Sequence, residues 1–258
     1  MAASAASAAD LGAKKPTPAA PAISGACKET KALPTEAHGF ATGSDVFDLN
    51  TWGTSLDNIY VGGGRGGRAY AYTGLLQVSG SFFPCLEVGP YGIYTLAGFK
   101  PYGGVERQGT ILGGGIELKY KLFGRATDGF GVTLAVSPNA GRYTGSSIYG
   151  GRDATFGNSY RLLVDRELVK DKLWGVLNLE LYQAAYANTL PGFRNTSQFN
   201  VRTALTAAIN DSLYLGGEAS FQFAQAGLWL NGPFRATAAY IGPTFQWNVT
   251  EKAVISGT

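Results

Sequence analysis

Residues 110–123, TILGGGIELKYKLF, carry two sequences interleaved at period two: Thr110, Leu112, Gly114, Ile116, Leu118, Tyr120 and Leu122 on one register, Glu117, Lys119 and Lys121 on the other. Alternate side chains fall on opposite faces only in an extended strand, so this stretch predicts a strand with one apolar and one charged side. The same alternation predicts strands at 68–82, 86–99, 130–136, 158–165, 173–184, 198–209, 213–223 and 235–247, with a first strand near 39–46 and a short last one at 253–258. At 198–209 and 213–223 both registers stay clean over about ten residues, the length that crosses a bilayer at a tilt.

The connections alternate in length. The Phe83-Pro84-Cys85 corner, GRATDG at 124–129, RELVKDK at 166–172 and Asn210-Asp211-Ser212 are short, whereas the glycine-rich run up to Gly67 and the stretches 100–109, 137–156 and 185–197 are long. Period-two strands joined by alternating short turns and long loops predict an all-β fold, a transmembrane antiparallel up-and-down β-barrel. With the short turns on the periplasmic side and an even strand count, the intact barrel is expected to have about 12 strands, the last of them truncated in this chain.

Composition sharpens this. Charged residues make up 15% of the 258 residues, and 37 glycines stand beside 14 Tyr and 14 Phe. Soluble domains carry roughly 25% charge, so the balance suits a lipid-facing wall. A net charge of +3 without a Lys/Arg-rich run argues against nucleic acid as a partner. The longest charge-free apolar stretch, 69–86, is broken by Gly74, Gln77, Ser79, Gly80, Ser81 and Pro84, which makes a poor membrane helix. A chain without spanning helices crosses a bilayer as a closed barrel, because each unpaired amide in hydrocarbon costs several kcal/mol.

At the N-terminus, MAASAASAAD carries Ser7 and Ala9 at the spacing of a signal-peptidase site before Asp10. Residues 1–9 are therefore expected to be the remnant of a signal peptide, and 10–38, with its KKPTPAAPAI run, a periplasmic linker. The barrel is assigned to 39–258, incomplete at its C-terminus.

The Ala8-Ala9-Asp10-Leu11 start before a Lys/Pro linker, GFATGSDV at 39–46, LVDREL at 163–168, and YIGPTFQW with the following TEK at 240–252 are similar to a group of porin-like outer-membrane proteins of alphaproteobacteria. The resemblance spans most of the chain from Gly39. It implies a β-barrel in the outer membrane of a Gram-negative bacterium more than a defined substrate. Members of the group end in a further region of paired strands closed by an aromatic residue, which this chain lacks.

The apolar register carries Tyr70, Tyr72, Tyr120, Phe221, Phe223, Phe245 and Trp247 at strand ends, as two interfacial belts require. The opposite register mixes small and uncharged polar residues with isolated charges. Glu87, Glu117, Lys119, Lys121, Arg161, Asp165, Glu180, Arg202 and Glu218 are thus expected to line the lumen. There they either pair as a polar core or border a conduit and set its ion preference. An inward fold of the 137–156 loop would put Arg142 and Arg152 at the lip of a constriction.

Cys27 and Cys85 both fall on the periplasmic side, where disulfides persist, and form a candidate pair. His38 is the one histidine and has no Ser-containing motif beside it, so an enzyme is not expected. No spacing of Cys, His and carboxylates calls for a metal or cofactor. The G-x-G-x-x-G at 62–67 opens into a strand and lacks the helix N-terminus that would hold phosphate. These features predict a porin-like channel passing small hydrophilic solutes, in contact with outer-membrane lipid and lipopolysaccharide. The competing expectation is a closed structural or surface-interaction barrel with a plugged polar interior. Neither sets a homo-oligomeric state.

Overall fold

The computed structural model describes residues 3–5, 41–63, 67–101, 104, 107–144, 154–186, 195–250 and 253–257. These form one sheet of antiparallel strands paired in chain order: β1 (Ala3–Ala5), β2 (Trp52–Gly63), β3 (Gly67–Phe83), β4 (Leu86–Pro101), β5 (Arg107–Phe123), β6 (Gly131–Thr144), β7 (Ala154–Val169), β8 (Leu173–Tyr186), β9 (Asn195–Ala208), β10 (Leu213–Ala226), β11 (Phe234–Thr250) and β12 (Ala253–Gly257). The fold is all-β with up-and-down topology. One short helix, α1 (Arg125–Asp128), sits in the turn between β5 and β6. Among the described residues no helix is long and apolar enough to cross a membrane.

Apolar side chains point out of this sheet and polar ones point in. On β5, Leu112, Ile116 and Leu118 are 65%, 47% and 40% exposed, while Glu117 and Lys121 are 8% and 2% exposed. Neighbouring strands repeat the rule: Leu134, Leu177, Leu205, Leu215, Phe245 and Trp247 are exposed, and Thr133, Asp165, Asn178, Thr206 and Glu218 are buried. A single sheet that no other layer covers can bury one face only by curling around it. The sheet therefore bends into a barrel-like shape whose core is polar. A one-residue slip of any strand would exchange its faces and put charge outside, which fixes the register of each pair.

Strands are longer, and loops shorter, than the alternation predicts. Residues 137–144 continue β6 and 154–156 open β7, so the expected 20-residue loop is strand at both of its ends, and 145–153 lie outside the described residues. The glycine-rich run before Gly67 contains β2, whose ladder with β3 runs from Trp52↔Gly80 to Gly63↔Ala69. Trp52, Leu56 and Tyr60 face outward from it.

The expected first strand at 39–46 is not part of the wall. Residues 41–46, its described portion, are neither helix nor strand and run through the interior, and the long strands begin at Trp52. Residues 39 and 40 lie outside the described residues. At the sheet's other edge of the chain order, Ala3–Ala5, from the stretch expected to be a signal-peptide remnant, pairs with Tyr60, Ile59 and Asn58 of β2.

Candidate functional site

Inside the curled sheet, segment 41–47 is gripped by side chains from six wall strands and from α1, and most of the grip is on its main chain. The Ala41 N–H donates to Glu218 Oε2 on β10 at 3.3 Å. Asn178 on β8 matches Thr42 twice: its Oδ1 accepts from the Thr42 N–H at 2.6 Å and its Nδ2 donates to the Thr42 carbonyl at 2.7 Å. Asp165 on β7 accepts from the Ser44 N–H, and the Thr133 hydroxyl on β6 donates to the Ser44 carbonyl. Glu87 on β4 accepts from the Phe47 N–H at 3.2 Å. A peptide withdrawn from water without helix or strand partners needs such contacts, because each unmet amide costs roughly 1–3 kcal/mol.

The segment's side chains fit the same wall. Ala41 is buried with Val176 and Ala204, and Ser44 is fully buried. Gly131 is required beneath Ser44, since a Cβ there would collide with Ser44 Oγ and Asp165 Oδ1. Gly53 leaves room for the Phe47 ring, which would lie 2.8 Å from an added Cβ. Beyond Phe47 the chain bridges to Ser81 through Leu49, turns at Asn50 with φ 61°, and enters β2.

One charged side chain of the segment enters a cationic pocket. Asp45 Oδ1 lies 2.8 Å from Lys121 Nζ on β5, and Asp45 Oδ2 lies 2.7 Å from Arg125 Nη2 on α1. Arg125 Nη1 also reaches Asp165 Oδ1 at 2.8 Å. Two carboxylates and two cations thus alternate at the short-turn end of the interior. Burial by itself would raise the Asp45 carboxyl; the hydrogen bond and charge of Arg125, followed by Lys121, outweigh it and hold the group below its ordinary value. Arg125 responds oppositely: burial would lower it, but Asp45 and then Asp165 raise it above the usual guanidinium value.

Further from the short turns, the wall charges pair with one another. Lys119 Nζ is 2.9 Å from Glu87 Oε1 and 3.2 Å from Glu117 Oε1, and Glu117 also meets Arg161. Arg161 reaches Glu117 diagonally across β6: in the register Arg161 stands opposite the small Ala135, and Ala135 opposite Lys119. Glu180 pairs with Arg202 at 2.8 Å and accepts from Ser159 and Asn200. Lateral pairing of this kind satisfies buried ions that would otherwise be prohibitively costly.

The structure places all nine residues expected in the lumen on the inward register of the curled sheet. They serve two arrangements: Glu87, Lys121, Asp165 and Glu218 hold segment 41–47, and Glu117, Lys119, Arg161, Glu180 and Arg202 form the lateral ladder, with Lys119 joining the two through Glu87. Arg142 does not line a constriction. It belongs to β6, opposite Leu112 and Ala154, on the outward register and exposed. Arg152, Cys27 and His38 lie outside the described residues. Cys85, in the β3–β4 turn, is disulfide-bonded.

Sequence reasoning missed Asp45, Arg125, Asn178 and Thr133 as members of the site. One signal was present: within 39–46 neither Gly39, Ala41, Gly43 and Asp45 nor Phe40, Thr42, Ser44 and Val46 form an apolar register, so neither set could face lipid. No protein-family model matches the chain, and no curated protein is similar enough to count as a relative.

Proposed function

We propose that this chain is a porin-like outer-membrane barrel whose hydrophilic interior is closed at its short-turn end by its own segment 41–47. The observation that carries the reading is the grip of Glu218, Asn178, Asp165, Thr133 and Glu87 on the main chain of that segment. An apolar outer face supports a bilayer setting, since in water it would leave many large side chains unburied. The disulfide at Cys85 supports an oxidising compartment on the short-turn side, which in this orientation is the periplasm. The role is passive and non-enzymatic: small hydrophilic solutes pass when the segment leaves, and the paired wall charges set which ions follow.

The competing reading is a permanently closed barrel whose loops meet lipopolysaccharide or neighbouring surfaces. It draws on the lateral pairing of Lys119, Glu117 and Arg161. Planar-bilayer recording separates the two. The unsubstituted chain is expected to be nearly silent and Asp45→Lys to conduct steadily; silence in both favours permanent closure.

A further inference from the structure

The grip on segment 41–47 is a peptide-binding site in its own right. Five wall side chains read the main chain at positions 41, 42, 44 and 47, which makes recognition largely independent of side-chain identity. Three features restrict what fits. Positions 41, 43 and 44 are buried, which demands small residues there. Lys121 and Arg125 demand a carboxylate at the position of Asp45. The hollow over Gly53 takes an aromatic ring two residues later.

From this we propose that the interior is a binding site for acidic peptides, and that segment 41–47 is its resident occupant. The proposal rests on the reading of the segment as a removable plug. The ligand class that replaces the plug is an irregular peptide of small residues bearing one Asp or Glu, bent as segment 41–47 is at Ser44 and entering from the short-turn side. Because the resident segment is tethered, it competes at an effective concentration of order millimolar, so an external peptide binds well only once the segment is out.

The test uses the full chain in detergent micelles, where binding is read without reference to conductance. The double variant Ser44→Trp/Asp45→Lys empties the site from within the segment and leaves every wall residue unchanged. Its emptying is read by hydrogen exchange of the 41–47 amides. A capped, fluorophore-labelled peptide of sequence ATGSDVFD is titrated by anisotropy into this variant and into the unsubstituted chain. Expected are binding to the double variant at least tenfold tighter than to the unsubstituted chain, and loss of that binding when the peptide carries Lys in place of its first Asp. An emptied variant that does not bind the peptide, or binds both peptides equally, overturns the proposal and leaves the plug intact as a reading. Fast amide exchange already in the unsubstituted chain overturns both.

Discussion

Lys121, on the inward register of β5 and only 2% exposed, finds its carboxylate 2.8 Å away on Asp45, a residue of the interior segment rather than of the wall. Arg125 closes on the same carboxylate from α1. The wall thus buries two cations whose neutralisation depends partly on a segment that could leave. Removing one member of a buried ion pair costs about 3–5 kcal/mol, because the remaining charge stays behind without water. Asp45→Ala is therefore expected to weaken docking by that order and to make 41–48 a preferred site of limited proteolysis, while the heat resistance of the barrel on gels is retained. Unchanged protease resistance of 41–48 would contradict this.

Acid should have a related effect, and its sign follows from the direction of the Asp45 shift. The carboxyl in the docked state lies below the ordinary value of 3.8. A carboxyl depressed on docking contributes stability that is complete above its ordinary value and is lost as pH falls through the depressed one. Docking is expected to be unchanged from neutrality down to about pH 5 and to weaken below about pH 4. A spin label at Val46 should show immobilised spectra above this window and mobile ones below it, and the transition should disappear in Asp45→Asn. Release on raising the pH above neutrality would reverse the predicted sign.

Gly131 tests the fit between wall and segment. An added methyl there meets Ser44 and Asp165, so Gly131→Ala should destabilise docking by about 1–3 kcal/mol, the usual cost of overpacking. Gly92, where an added Cβ finds nothing within 4 Å, provides the control and should tolerate alanine. Equal exchange rates of the Ser44 amide in the two variants would contradict the close approach.

The outer face makes a separate prediction. Leu118 and Leu205 point away from the interior on β5 and β9. Arginine at either position should lower folding stability in phospholipid bilayers by about 2–4 kcal/mol if it lies near the midplane, and by less near the interfaces. A soluble barrel would tolerate both changes or gain solubility from them.

Alternation is a sound guide to the wall because the outer and inner faces of the curled sheet impose opposite demands on successive residues. That is why the facing of Glu117, Lys119 and Lys121 against Leu112, Ile116 and Leu118 could be read directly from 110–123. The guide failed where one demand is missing. At the far end of β6 the alternation lapses, so Asn139, Gly141 and Arg142 read as loop although their ladder with β5 continues. In β2, Thr54 and Asn58 interrupt the outward Trp52, Leu56 and Tyr60, and the weakened register was absorbed into a glycine-rich connection. An interior segment such as 41–47 is neither helix nor strand, bends at Ser44 and lies against the wall through most of its length. It therefore carries small and polar residues without a period, and resembles a weak strand. Four of its partners, Glu87, Lys121, Asp165 and Glu218, are legible one by one as inward charges, but the long-range pairing that defines the site, Asp45 with Lys121 and Arg125, leaves no trace in local pattern.

The central claim is that segment 41–47 is bound inside the polar core, and hydrogen exchange of its amides in the lipid-embedded full chain tests it most directly. The N–H groups of Ala41, Thr42, Ser44 and Phe47, each donated to a wall side chain, are predicted to exchange on the timescale of the β7 and β8 ladders. Exchange of these four at the rate of an unstructured peptide would contradict the account.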